Sequence, residues 1–364
     1  MIAPDVPDSD SEERLRSKTR RRATMNYSRF LNRIALARRP NPIRVLAGIL
    51  QQGPPTMISM AGGNPNSYNF PLTEATLTLR DGSKLTVDPD SLKQALQYSA
   101  TPGITDLFDW VKGLQKRVHK PPTLLNSTSD GHLDFLITNG SQDGICKALE
   151  AMTSVDDNVL MEIPCYVGTL SIVRPRGLNI LPVNVDHNGV DPNHLKKQLS
   201  RWKPSDAKDP ESKIPKIFYT IPNGSNPTGC GQTEDRKRAI YELAQEYDLM
   251  ILEDDPYFYV QFQRPYVPSY LSMDVDGRVI RFDSFSKLIS SGIRLGFVSG
   301  PEPIINKLAL HMQTSVMHAS GLSQVVLLKV LQKMGSTASR NMQLKWLSFM
   351  RRSVTNVWRQ PENI

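Results

Sequence analysis

Arg281-Phe282-Asp283-Ser284-Phe285-Ser286-Lys287-Leu288-Ile289-Ser290-Ser291-Gly292-Ile293-Arg294-Leu295-Gly296-Phe297 is the stretch whose reading decides the fold. A β-like run from Gly277 to Phe282 leads into it. Hydroxyl side chains stand on both sides of Lys287, and Arg294 follows; Asp283, the one carboxylate, comes before the lysine. A lysine amine that can lose its proton is a covalent catalyst, and an electron-accepting cofactor makes that chemistry productive. Hydroxyls and an arginine beside it suit an anion. Alone, such a cluster more often marks a polar loop between strands. Four upstream segments tip the reading.

The first is Leu133 to Met152, which reads strand, turn, helix. Its turn, Asn139-Gly140-Ser141-Gln142, would present free backbone N–H groups and a positive dipole end, as a phosphate requires; an ordinary helix cap has the same pattern. The second, Val159 to Tyr166, reads as a buried strand ending in Pro164-Cys165-Tyr166. Tyr166 is placed to lay its ring on a flat ligand, or else to pack in the core. The third is the strand Ile217 to Ile221, which runs into Pro222-Asn223-Gly224-Ser225-Asn226-Pro227-Thr228-Gly229. This loop is shaped by prolines and glycines, with Asn226 biased to an extended conformation by the proline after it. The fourth, Leu249 to Tyr257, is a strand ending in Asp254-Asp255-Pro256-Tyr257. Asp254 is placed to pair with a cationic ring nitrogen. At about 4 Å and an effective dielectric near 20, such a pair is worth roughly 4 kcal/mol. That is about three pKa units, enough to keep a pyridine protonated. Asp255 reads as a helix or turn cap.

In order and spacing, Gly140-Ser141-Gln142, Pro164-Cys165-Tyr166, Pro222 to Gly229, Asp254 to Tyr257, Ser284 to Lys287 and Arg294 to Phe297 resemble the fold-type-I pyridoxal-phosphate aminotransferases. Within that family the likeness is to a mitochondrial branch from animals whose amino donors are L-kynurenine and L-2-aminoadipate, with 2-oxoglutarate as acceptor. Met25 to Phe30, Pro42 to Arg44, Met57 to Asn66 and Ser272 to Ile280 carry it. The resemblance implies a largely parallel α/β sheet flanked by helices and a covalent link from Lys287 to pyridoxal 5'-phosphate. It implies phosphate contacts from Ser141, Gln142, Ser284, Ser286 and Arg294, and a ring stacked on Tyr166. Asn226 and Tyr257 are expected at the ring's phenolic oxygen, and Asp254 at its nitrogen. Tyr98, in Tyr98-Ser99-Ala100-Thr101-Pro102-Gly103, is expected to reach the phosphate of a neighbouring subunit, which implies a homodimer. Arg44, Gly63, Tyr98 and Asn226 are the expected substrate contacts.

The chain has 364 residues, of which 22% are charged and 39% hydrophobic, ordinary for a globular protein with a sizeable core. No apolar run approaches the ~18 residues of a membrane span, so no membrane role is expected. Cys146, Cys165 and Cys230 show no metal or redox spacing, and the six histidines do not pair at ligand spacing, so no metal is expected. The formal charge of +8 invites a nucleic-acid reading, but much of the excess lies at the two ends. No helix-turn-helix pattern precedes Gly62, which argues against a regulator built on such a domain.

Residues 1–24 read as a disordered acidic and basic extension. Residues 25–60 read as an N-terminal arm; its arginine-rich, acid-free, amphipathic stretch Tyr27 to Arg39 has the pattern of a mitochondrial presequence. The expected location is the mitochondrial matrix, or the cytoplasm if the preceding acids block import. Residues 61–334 read as the cofactor-binding large domain. Within it Asp106 to Val118 reads as a helix capped by Thr105, Leu195 to Trp202 as a short helix, and Glu234 to Tyr247 as an amphipathic one. The likeness is expected to stop at Met334, leaving 335–364 as a divergent basic tail. Arg340, Arg351, Arg352 and Arg359 match no substrate-clamping arginine, so a missing C-terminal small domain and weak turnover are expected.

Overall fold

The computed structural model describes residues 25–43, 45–46, 53–54, 63–125, 131–262 and 264–335. Arg44, Gly62, residues 1–24 and the tail beyond Gly335 lie outside the described residues.

The strands are β1 (Ala75–Thr78), β2 (Lys84–Val87), β3 (Leu133–Thr138), β4 (Asn158–Ile163), β5 (Asn179–Asp186), β6 (Gly189–Val190), β7 (Ile217–Thr220), β8 (Met250–Asp254), β9 (Val279–Ser284) and β10 (Gly296–Pro301). β1 and β2 form a separate antiparallel hairpin. The other eight form one sheet in the order β3-β10-β9-β8-β7-β4-β5-β6. From β9 through β8, β7 and β4 to β5 the neighbours are parallel. β10 runs antiparallel to both β3 and β9, and β6 turns back on β5. Every residue of β7, β8, β9 and β10 is buried, as expected where helices cover both faces of a parallel sheet. The flanking helices include Thr105–Val118, Ser141–Met152, Glu234–Glu246, Glu302–Ser315 and Gly321–Gly335. Among the described residues no helix is long and apolar enough to cross a membrane.

Because β3, β4, β7, β8 and β9 point the same way, their carboxyl ends share one edge. That edge gathers Ser141, Tyr166, Asn226, Asp254 and Lys287, the position at which open α/β sheets bind ligands.

Two local expectations change. The helix from Thr105 is preceded by Ile104 as its N-cap, without a side-chain cap bond, so Thr105 is the first helical residue. The short helix expected over Leu195 to Trp202 spans Pro192–Leu199, because Asp191 caps it by accepting the Asn193 N–H. The arginine-rich N-terminal stretch is packed on the body. Phe30 and Ala35 are wholly buried, and the Tyr27 hydroxyl donates to Gly277 O at 3.0 Å. Arg29 donates to the carbonyls of Ala207 and Asp248. Its amphipathic pattern is therefore the pattern of a strap whose apolar side joins the core and whose arginines tie neighbouring loops.

Candidate active site

The turn after β3 and the turn after β9 meet. Gly140 adopts φ +84°, which brings the helix Ser141–Met152 into line behind it. A Cβ at Gly140 would lie 2.6 Å from Arg294 Nη2, so only glycine lets the guanidinium come this close. Arg294 itself has φ +52°, an uncommon conformation for a side chain of this size. Its guanidinium lies 3.4 Å from Ser286 Oγ and 3.5 Å from Asn139 O. Ser284 Oγ accepts the Ser286 N–H at 3.1 Å. An exposed guanidinium, two serine hydroxyls and the free N–H groups of a long helix thus converge, the chemistry of a phosphate cradle. Gln142 is tied to the next element by donating to Gly168 O at 3.0 Å.

Lys287 is exposed in the turn after β9 and opens on a cavity of about 880 Å³, shared with Asn223, Tyr257 and Tyr266. Tyr257 is half-buried, and burial together with nearby Asp254 pushes its phenol up. The Tyr166 ring folds over Gly168, where a Cβ would sit 2.4 Å from it. Asn226 is exposed at the tip of a loop whose base is closed by Ser225 N–H donating to Cys230 O at 2.8 Å. The Asn226–Pro227 peptide is cis.

Asp254 is almost wholly buried at the end of β8. Its Oδ2 accepts from the Tyr219 hydroxyl at 2.6 Å, and its Oδ1 has no partner among the described residues. Burial pushes its carboxyl up to about 7, held back by the Tyr219 bond and raised further by Asp255 and Glu162. A buried carboxylate oxygen with no donor and no cation beside it among the described residues suits a protonated pyridine nitrogen. With the phosphate cradle at the adjoining turn and Lys287 beside it, the residues fit pyridoxal phosphate.

Sequence reading missed several groups. Glu162, at the end of β4, accepts from Thr220 at 2.7 Å and Ser225 at 2.6 Å, pinning the loop that carries Asn226. Burial pushes it up to about 7 against those two hydrogen bonds. Asp255 is not a helix or turn cap: it accepts from Asn223 at 2.7 Å and faces Arg281 at 3.0 Å. Alternation along β8 turns it away from Asp254's side and into a buried ionic cluster. The guanidinium of Arg281 there also meets Glu253 at 3.2 Å and Asp283 at 2.9 Å. Burial raises Asp283 to about 6 in spite of Arg281.

Of the remaining expected positions, Gly63 is exposed, with nothing among the described residues beyond its chain neighbours within 4 Å of an added Cβ. Tyr98 is 53% exposed, with its ring edge-on to His318.

A parallel sheet with a lysine, an unpaired aspartate oxygen and a phosphate cradle at its carboxyl edge defines a fold-type-I pyridoxal-phosphate enzyme. The family model for aminotransferase class I and II matches residues 112–359. This match runs on past Met334, where the likeness was expected to stop. The kynurenine/alpha-aminoadipate aminotransferase, mitochondrial, of Mus musculus is 50% identical over 311 residues, covering 85% of this chain and 73% of the relative. Among solved structures, aminotransferase Aro8 from Candida albicans superposes with a TM-score of 0.78 at 26% identity, covering 92% of this chain and 74% of that one. The Pyrococcus horikoshii kynurenine aminotransferase in complex with PMP, KYN as substrates and KYA as products does so with a TM-score of 0.63 at 25% identity, covering 90% and 74%. The chain belongs to the class I and II aminotransferases. Its cofactor is pyridoxal phosphate, and its reactants are amino acids and 2-oxo acids.

Proposed function

We propose that this aminotransferase takes L-kynurenine and L-2-aminoadipate as amino donors and 2-oxoglutarate as acceptor. The reading is supported by the half-identical mouse relative, whose name carries both donors. We assign residues 61–334 as the cofactor-binding domain.

When bound, pyridoxal phosphate supplies an electron sink for the substrate's Cα and a carrier for its amino group. The protein's residues do the rest. Arg294, Ser284, Ser286, Ser141 and Gln142 would hold the phosphate, and Tyr166 would offer its ring to the cofactor. Asp254 keeps the ring nitrogen protonated. Asn226 and Tyr257 donate to the ring's phenolic oxygen. Lys287, exposed beside the site, would hold the cofactor through its Nζ, and the same amine would take up the substrate's Cα proton and return it. The single observation that carries this assignment is the unpaired Oδ1 of Asp254, buried on the edge where Lys287 stands. Arg44, Gly63 and Asn226 are assigned to the substrate. Tyr98 is assigned to the phosphate and substrate of a second copy in a homodimer, which its exposure permits. The names of the relatives favour mitochondria.

The test is purified protein with pyridoxal phosphate, given kynurenine or 2-aminoadipate and 2-oxoglutarate. Glutamate formed from both donors is the expected result. Glutamate formed only from other amino acids would refute the substrate assignment.

A further inference from the structure

The carboxylate of Asp254 is held from behind by a line of hydroxyls. Thr169 Oγ1 donates to the Tyr219 hydroxyl at 2.8 Å, and that hydroxyl donates to Asp254 Oδ2 at 2.6 Å. Thr169 and Tyr219 are wholly buried, and Asp254 nearly so. Each hydroxyl has one proton to give. With the threonine's proton directed to the phenol oxygen, the phenol's own proton has Asp254 as its acceptor. Burial and the neighbouring Asp254 push the Tyr219 phenol well above its ordinary value, so it stays a donor across the working range.

The placement follows from the strands. Tyr219 in β7 is in register with Leu252 in β8, and Asp254 lies two residues further along the same face. Thr169 lies in the helix Val167–Val173, just after Tyr166, with its N–H donating to Tyr166 O at 3.1 Å. One helical turn thus carries both the ring expected against the cofactor's face and the hydroxyl that starts the line to its nitrogen.

We infer that Tyr219, oriented by Thr169, is a positioning residue that fixes one oxygen of Asp254 and so presents the other, ionised and unpaired, to the ring nitrogen. This rests on the assignment of Asp254 above. Without the phenol proton, Oδ2 would also be buried and unpaired, and Asp254 would favour its neutral form. A neutral acid no longer holds a cationic nitrogen. The cofactor would bind through its phosphate and Lys287 as before, but with a weaker electron sink.

The test uses holoenzyme loaded with pyridoxal phosphate carrying ¹⁵N in the ring. In Tyr219→Phe, the ring-nitrogen signal at pH 8 should move from the protonated toward the unprotonated position. Transamination kcat should fall about tenfold with KM within about twofold, the size expected for a hydrogen bond to a charged group. Borohydride should still attach the cofactor to Lys287. Thr169→Val, which leaves the phenol proton in place, should move the same signals the same way by less. It also serves as the test if Tyr219→Phe folds poorly. Unchanged ring-nitrogen signals in the folded variants would overturn the inference. An unprotonated nitrogen in the unaltered enzyme would instead overturn the assignment of Asp254, and the inference with it.

Discussion

Asp254 and Asp255 are neighbours in sequence with opposite surroundings. Asp255 points to the side of the sheet where Arg281 faces Glu253, Asp255 and Asp283, all within 3.2 Å. Asp254 points to the other side, with Glu162 nearby and no cation within ion-pair distance among the described residues. The Arg281 guanidinium gives these carboxylates a shared counter-charge and so ties β8 to β9, although Asp255 Oδ1, like Asp254 Oδ1, has no partner among the described residues. The Asp254 side is a charge left unanswered until a ligand brings the counter-charge. Buried groups whose charge is poorly met mark a functional site better than buried charge as such.

The largest effect that sharpens this contrast is on the open side. Asp254→Asn removes an ion pair worth roughly 4 kcal/mol, so kcat should fall about a thousandfold while cofactor stays bound. Near-normal turnover, measured with the folded holoenzyme, would break the contrast. On the closed side, Arg281→Met leaves three carboxylates buried without their cation. Thermal or denaturant unfolding should report a loss of about 3–5 kcal/mol, and an unchanged midpoint would show that the cluster holds nothing together. The smallest effect is in pH dependence. Asp254 and Glu162 are pushed up to about 7 in the folded protein, against ordinary values near 4. The folded state therefore binds these protons more tightly than the unfolded one. Neither group weakens the fold below its ordinary value; the cost grows as pH rises towards 7 and then levels off. Cofactor-free protein should lose Tm between pH 5 and 8. Asp254→Asn should flatten that slope by on the order of 1 kcal/mol per pH unit at most. An equally steep slope in the variant would show that Asp254 is not the group responsible.

The sheet was legible because its central strands are continuous apolar runs, each ending in an informative turn. Asp254, Tyr166, Asn226 and Lys287 stand immediately after such runs, so a one-dimensional reading placed them on one edge. The groups behind them were hidden for a physical reason. Tyr219 and Thr169 join Asp254 only through the register of β7 on β8 and the packing of the helix after Tyr166, and register cannot be read from one strand. Arg281 could have been found. It is two residues from Asp283, on the same side of β9, just as Glu253 and Asp255 share a side of β8. The amphipathic arginine pattern from Tyr27 to Arg39 did not say what its apolar face meets; Phe30 and Ala35 lie in the core.

The central claim is that the sheet's carboxyl edge holds pyridoxal phosphate on Lys287. Borohydride reduction of the holoenzyme followed by peptide mapping tests it most directly. The account predicts the pyridoxyl label on the peptide carrying Ser284-Phe285-Ser286-Lys287. Label on a different lysine, with Lys287 unmodified, would contradict it.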